Sequence, residues 1–281
     1  MKKKDKIEHI IVTGATGFIG QNLIPLLIKK KFKVIAIGRN INKAKKFNWF
    51  SKVKFIKLDY HKQKINFDLT KKTGLIHLGW QGLPNYNSDF HLKQNLPKNY
   101  EFIKKLINKG IYKIFIAGTC FEYGLRNGGI PPNAKPEPII PYAIAKNNLR
   151  KKLIYLNKSK KFKLQWARFF YLYGIGQNPK SLMASLDYSI KKKLKKFNLS
   201  QGNQLRDYLN VKIAVEKIIK IFESKKKGVF NICSEKPIKV KDLVNNRIRV
   251  KKSKIKVNYG FYPYSKYEPM EFWGIDSFNE R

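Results

Sequence analysis

One stretch near the start of the chain limits what the rest can fold into: KIEHIIVTGATGFIGQ, Lys6–Gln21. Ile10, Ile11 and Val12 form a short β-branched run of the kind that builds a buried parallel strand. It leads into Gly14-Ala15-Thr16-Gly17-Phe18-Ile19-Gly20 and then into NLIPLLIKK, whose apolar residues follow helical spacing. Strand, glycine turn and helix in that order are the setting in which a dinucleotide fingerprint carries meaning. Separate glycines then allow the tight turn, the approach of backbone to a pyrophosphate, and close packing of helix on strand. The free N–H groups and positive dipole end of the helix would face the phosphates. The spacing here is G-x-x-G-x-x-G rather than G-x-G-x-x-G.

At 281 residues the chain can bury a full core, as one large α/β domain or as one domain with a smaller lobe. Sixty Lys+Arg against 18 Asp+Glu give a formal net charge of +42. A balance this basic raises nucleic acid or a membrane surface as partners. The lysines, however, are spread over nearly every polar face, as at Lys29–Lys31, Lys43–Lys46, Lys104–Lys105, Lys191–Lys196 and Lys225–Lys227. They form no single aromatic-studded stripe, so specific nucleic-acid binding is not expected. The hydrophobic fraction of 43% excludes a disordered basic tail as the whole chain. Cys120 and Cys233 each end an apolar run and set up neither a disulfide framework nor metal spacing, which fits a reducing cytosol. His9, His61, His77 and His91 are dispersed, without the pairing of a zinc site. MKKKDK followed by an apolar run mimics a signal peptide, but the turn accounts for the glycines and no apolar run reaches membrane-spanning length. The reading is a cytoplasmic protein with no membrane insertion and no metal.

Further strands are read at Phe32–Gly38, Val53–Leu58, Gly74–Leu78, Ile111–Ala117, Leu164–Phe170 and Gly228–Cys233. Helical patterns lie between them, notably over Asp89–Asn108 and Tyr142–Asn157. Such alternation predicts a Rossmann-like, doubly wound parallel α/β sheet. Residues 1–174, rejoined by 205–233, would form the cofactor-binding half. Residues 175–281 would supply most of a smaller C-terminal substrate lobe, because ligands in such sheets lie beyond the carboxyl ends of the strands.

The chemistry centres on Thr119, at the end of the fifth strand, and on Tyr142 and Lys146 within PYAIAK. Positions i and i+4 share a helix face, so the ammonium can sit beneath the phenol. A nearby cation favours phenolate and is expected to lower the tyrosine pKa from about 10 toward working pH. Tyr142 is then a general acid or base, with Thr119 bonding the same substrate oxygen.

In TGATGFIG (Thr13–Gly20), HLGW (His77–Trp80), GTCFEYG (Gly118–Gly124), YAIAK (Tyr142–Lys146), RFFYLYGIGQ (Arg168–Gln177) and LRDYLNV (Leu205–Val211) the chain resembles an extended short-chain dehydrogenase/reductase. It is similar to the nucleotide-sugar epimerase/dehydratase/reductase group, with the motifs in that family's order across almost the whole chain. The resemblance implies Thr119, Tyr142 and Lys146 as catalytic, with Lys146 also touching the nicotinamide ribose. For the cofactor it implies Gly14, Thr16, Gly17, Phe18, Ile19, Gly20, Leu78 and Gly79, with Asp59 near the adenine. For the substrate it implies Trp80, Asn95, Cys120, Tyr171, Gln177 and Arg206, the arginine pairing with a sugar-nucleotide diphosphate. It also implies a homodimer built on the helices near Asp89–Asn108 and Tyr142–Asn157.

Departures from the family pattern narrow the reaction. Where dehydratases carry Asp-Glu after the catalytic Thr, this chain has Cys120 and Phe121, which argues against dehydration. Tyr171 stands where many relatives have Asn. At the end of the second strand Gly38-Arg39-Asn40 offers no carboxylate for the ribose hydroxyls of NAD, while Arg39 could pair with a 2′-phosphate. NADP(H) is therefore expected ahead of NAD(H), and a reductase acting on the C4 ketone of a nucleotide-diphospho-4-keto-6-deoxyhexose ahead of an NAD-dependent 4-epimerase. A non-catalytic nucleic-acid-binding relative is the distant third reading. GTCFEYG and the tail YPYSKYEPMEFWG (Tyr262–Gly274) also resemble deoxysugar reductases of surface-polysaccharide pathways.

Overall fold

The apolar runs become strands where both of their faces are covered. A computed structural model of the chain describes residues 7–63, 65, 69, 72–276 and 278; the MKKKDK segment lies outside them. In chain order the first half contains β1 (His9–Thr13), α1 (Phe18–Lys29), β2 (Lys33–Gly38), α2 (Ile41–Ala44), β3 (Lys54–Lys57), β4 (Thr73–His77), α3 (Leu96–Asn108), β5 (Lys113–Thr119) and β6 (Gly128–Ile130). There follow α4 (Pro141–Lys160), β7 (Lys163–Phe169), β8 (Tyr171–Tyr173), α5 (Leu182–Lys191), β9 (Lys196–Asn198), β10 (Leu205–Arg206) and β11 (Tyr208–Asn210). The chain continues through α6 (Val211–Glu223), β12 (Gly228–Ile232), β13 (Ile238–Lys239), α7 (Val240–Val250), β14 (Lys256–Asn258) and β15 (Glu271–Gly274).

Seven strands form one parallel sheet in the order β12-β7-β5-β4-β1-β2-β3. The doubly wound fold is as expected, and every strand read from the sequence lies in this sheet. Side chains of β1 alternate: Ile10 and Val12 enter the core beneath α1 and α6, Ile11 the core beneath α3 and α4. From β1 the chain runs outward through β2 to β3, then crosses to β4 and runs the other way through β5 and β7. The crevice at this reversal, above the carboxyl ends of β1 and β4, is where such a sheet receives a ligand.

The expected helix over Asp89–Asn108 is two structures. His91–Asn95 is a π-helical turn, and regular α3 begins at Leu96. Pro97, early in α3, has no N–H to give the preceding turn, and the Asn99 side chain bonds the Asn95 carbonyl at 2.7 Å. Beyond the main sheet, β13, β10, β15 and β6 form a four-stranded sheet. The aromatic tail is thus partly regular: Phe272 of β15 is fully buried against Phe170 and Cys233.

Candidate active site

The glycine turn is closed by its own backbone. Gly14 has φ +66°, and a Cβ there would lie 2.9 Å from the Gly79 nitrogen. A Cβ at Gly20 would lie 2.3 Å from the Gly14 carbonyl oxygen, so only glycine lets α1 sit this close to β1. Gly17 caps α1 with no side chain, and the first turn holds no acidic residue. Phe18 and Ile19 therefore present a helix N-terminus without a carboxylate competing for it, which fits a dinucleotide pyrophosphate. Thr16 faces the end of β2 at Gly38. Arg39 is exposed, and Asn40 is committed to capping α2, its side chain accepting from Lys43 N at 2.9 Å.

A polar chain runs behind this turn. Gly79 N donates to Thr13 Oγ1 (3.1 Å), Thr13 Oγ1 bonds His77 Nδ1 (2.9 Å), and His77 Nε2 bonds Asn99 Oδ1 (2.7 Å). Complete burial, reinforced by the Lys146 charge, lowers the His77 pKa to about 3, so this ring is a neutral link. Leu78 and Gly79 lie against Gly14. Asp59, just beyond β3, accepts from Gln81 Nε2 at 3.0 Å and from His61 N at 3.1 Å. Asn95 holds the loop after β4 by donating to the Gln81 carbonyl at 2.8 Å.

Thr119, Tyr142 and Lys146 converge and are all buried. Pro141 starts α4, which sets Tyr142 in the first turn and Lys146 one turn later. The Lys146 ammonium donates to the Ala117 carbonyl at 2.7 Å, lies 4.0 Å from the Trp80 ring centroid, and is 6.0 Å from that of Tyr142. The expected lowering of the Tyr142 pKa is corrected here. Burial is the largest influence and raises it, Tyr86 and Glu122 add to that, and the Thr119 hydrogen bond opposes it. The lysine responds instead: burial lowers Lys146 to about 7, against the opposing pull of Glu122.

Glu122 is the residue that the sequence reading passed over. It is fully buried, its carboxylate accepting from Thr119 N (3.0 Å), Trp166 Nε1 (3.0 Å) and Arg168 Nε (2.9 Å). The available signal was Thr119-x-x-Glu122, a capping box, which the short 3-10 turn after β5 completes. The turn also buries Cys120, whose thiol is pushed up by desolvation, so it cannot act as a base. Phe121 meets Tyr86, Tyr171 and Tyr267 at ring-centroid distances of 5.4, 6.3 and 6.1 Å, and Tyr86 lies 5.4 Å from Tyr142. The wall beside Tyr142 is therefore aromatic.

Arg206 and Tyr171 line a cavity of about 250 Å³ together with Tyr208, Gln204, Tyr262 and Glu268. The Arg206 guanidinium donates to Glu268 Oε2 at 3.2 Å and lies 5.6 Å from the Tyr171 ring centroid. The Tyr171 hydroxyl is buried and has no hydrogen-bond partner among the described residues. Gln177 does not join this group. Its loop lies over the start of α1, tied there by Gln21 and Asn22, and Gln177 lines a separate cavity with Asn22, Asp187 and Arg247.

Residues 10–233 match the family model described as "NAD dependent epimerase/dehydratase family". The chain belongs to this family. Among its relatives it is similar to dTDP-6-deoxy-L-talose 4-dehydrogenase (NAD(+)) of Aggregatibacter actinomycetemcomitans, 32% identical over 95% of this chain and 99% of that protein. It is also similar to ADP-L-glycero-D-manno-heptose-6-epimerase of Brachyspira hyodysenteriae, 28% identical over 79% of this chain and 74% of the other. In fold it is similar to the UDP-N-acetylglucosamine 4-epimerase of Methanobrevibacter ruminantium, with TM-score 0.82 at 21% identity over 95% and 90% of the two chains. A Bacillus cereus UDP-glucuronic acid 4-epimerase, solved in complex with NAD, has TM-score 0.80 at 20% identity over 96% and 88%. As a member of the NAD dependent epimerase/dehydratase family, the chain has a glycine turn suited to the nicotinamide dinucleotide that gives the family its name. No helix among the described residues is long and apolar enough to cross a membrane.

Proposed function

We propose that this protein is a nucleotide-sugar oxidoreductase that reduces the C4 ketone of a nucleotide-diphospho-4-keto-6-deoxyhexose. The observation that carries the reading is an intact Thr119–Tyr142–Lys146 group beside an aromatic wall, with buried Cys120 and half-buried Phe121 where a dehydration acid–base pair would stand. The likeness to a 6-deoxyhexose 4-dehydrogenase over nearly the full length of both chains supports it.

A nicotinamide dinucleotide held at the Gly14–Gly20 turn would supply hydride to C4. Tyr142, held by Thr119, gives its hydroxyl proton to the ketone oxygen, and the adjacent Lys146 ammonium stabilises the phenolate left behind. Buried phenols resist ionisation, so Tyr142 waits protonated, as a donor must. Arg206 exchanges Glu268 for the substrate diphosphate, a guanidinium–phosphate pairing that favours bidentate geometry. Exposed Arg39, with no carboxylate beside it, favours NADPH over NADH. Residues 1–174 with 205–233 hold the cofactor, the remainder of the C-terminal part shapes the sugar site, and α3 and α4 form a homodimer interface in the cytoplasm.

Replacing Tyr142 with Phe tests the assignment. Turnover of a 4-keto-6-deoxy nucleotide sugar with NADPH is expected to vanish while cofactor affinity stays within about twofold. Retained turnover rejects the mechanism. Isomerisation of an unmodified nucleotide sugar without net cofactor consumption would replace the reductase with a 4-epimerase.

A further inference from the structure

Trp80 does more than border the substrate site. Its ring lies across the Lys146 ammonium at 4.0 Å, within cation–π range. Its indole N–H donates to His91 Nδ1 at 3.1 Å, the two rings inclined by 28° with centroids 6.2 Å apart. His91 is fully buried, and both of its nitrogens are committed. Nε2–H donates to the Asn85 carbonyl at 2.8 Å, while Nδ1 also accepts from Asn95 Nδ2 at 3.0 Å. One tautomer satisfies all three bonds: a neutral ring with its proton on Nε2. A second proton would face the Trp80 and Asn95 N–H groups, donor against donor. The π-helical turn sets His91 and Asn95 side by side, the sort of distortion found at functional sites.

We propose that Trp80 is a positioning residue for Lys146, fixed by neutral His91, and that protonation of His91 unlatches the indole and slows the reaction. This rests on Tyr142 and Lys146 being the acid–base site. Of the groups packed around His91, the Lys146 charge disfavours a second proton and the Asn85 carbonyl favours it, while burial tips the balance to the neutral ring. From α4 it meets the Tyr142 ring at 5.3 Å and feels the Lys146 charge; from the preceding loop it meets Phe90 at 6.3 Å and the Asn85 carbonyl. Asp89 and Lys93, its charged sequence neighbours, pair with each other at the surface. Burial and Lys146 lower the His91 pKa from its ordinary 6.5, with the Asn85 bond opposing, so the latch opens only under acid conditions. The indole in turn leaves the lysine able to donate to Ala117 while its other side stays dry.

The test reads the latch in two ways. Tryptophan fluorescence of the full chain is titrated between pH 4.5 and 8, with the Trp80→Phe variant subtracted to isolate Trp80. A single step below pH 6.5 is expected in the wild type and is absent from His91→Asn, which keeps an acceptor at the δ position but does not titrate. A wild-type titration without a step, or a step that persists in His91→Asn, overturns the proposal. In turnover with NADPH, Trp80→Leu and His91→Leu are expected to lower kcat roughly tenfold at pH 7 with cofactor KM little changed. His91→Asn is expected to restore most of the rate and flatten the acid limb. Wild-type kcat in Trp80→Leu, alongside an inactive Tyr142→Phe, overturns the latch and leaves the acid–base site standing. Activity in Tyr142→Phe rejects the acid–base site itself, while the fluorescence step still decides whether His91 controls Trp80.

Discussion

Lys146 is the residue on which the proposed chemistry turns. An exposed lysine holds its proton to about pH 10.4. Here burial favours the neutral amine and brings the pKa to about 7. The ammonium proposed to stabilise the Tyr142 phenolate is therefore present below pH 7 and is lost as pH rises through that value. In the reductive direction kcat/KM, which reports the free enzyme, is expected to fall through the neutral range by up to tenfold per pH unit. Initial rates from pH 5.5 to 9 check this; a profile flat to pH 9 would show that the free enzyme keeps Lys146 charged. The i, i+4 spacing of Tyr142 and Lys146 was legible from PYAIAK alone, because helix geometry fixes it. The direction of the Tyr142 shift was not. It depends on how much of the molecule closes over the phenol, and burial outweighs a cation whose ammonium stands 6.0 Å from the ring centroid.

At the scale of elements, the turn after β5 is held by one carboxylate. Glu122 joins that turn to β7 through Arg168 and Trp166, residues 46 and 44 positions away. Replacing Glu122 with Ala leaves Arg168, which is 1% exposed, as an uncompensated buried charge. The cost is expected to be about 3–5 kcal/mol of unfolding free energy, measured by denaturant titration. A loss below about 1 kcal/mol would mean that the pair does not hold the turn. Strands, crossover helices and the glycine turn were readable because period, β-branching and glycine placement are local signals. The Glu122 contacts, the Arg206–Glu268 pair 62 residues apart, and the Trp80–His91 bond across a π-helical turn are set by tertiary packing. Gln177 stands apart from the Arg206 cavity for the same reason: its motif is local, but the loop carrying it folds over α1.

The whole molecule is a parallel sheet with a crevice at its reversal, and a smaller sheet and the tail carry the Arg206 cavity. On α4, Ile154 and Tyr155 are 44% and 74% exposed, which suits a helix face shared between two copies. Sedimentation should give a dimer that Tyr155→Glu converts to monomer; a monomeric wild type would remove the interface. The +42 charge is distributed over the polar surfaces and would add attraction for the proposed doubly anionic diphosphate sugar. In the proposed reaction hydride passes from a soluble nicotinamide cofactor to C4 of a ketosugar. The most direct measurement is turnover of a nucleotide-diphospho-4-keto-6-deoxyhexose with NADPH deuterated at nicotinamide C4, followed by NMR of the sugar. One deuterium at sugar C4 is expected for each NADPH consumed. Turnover of a nucleotide sugar with no deuterium at C4 and no loss of NADPH would contradict it.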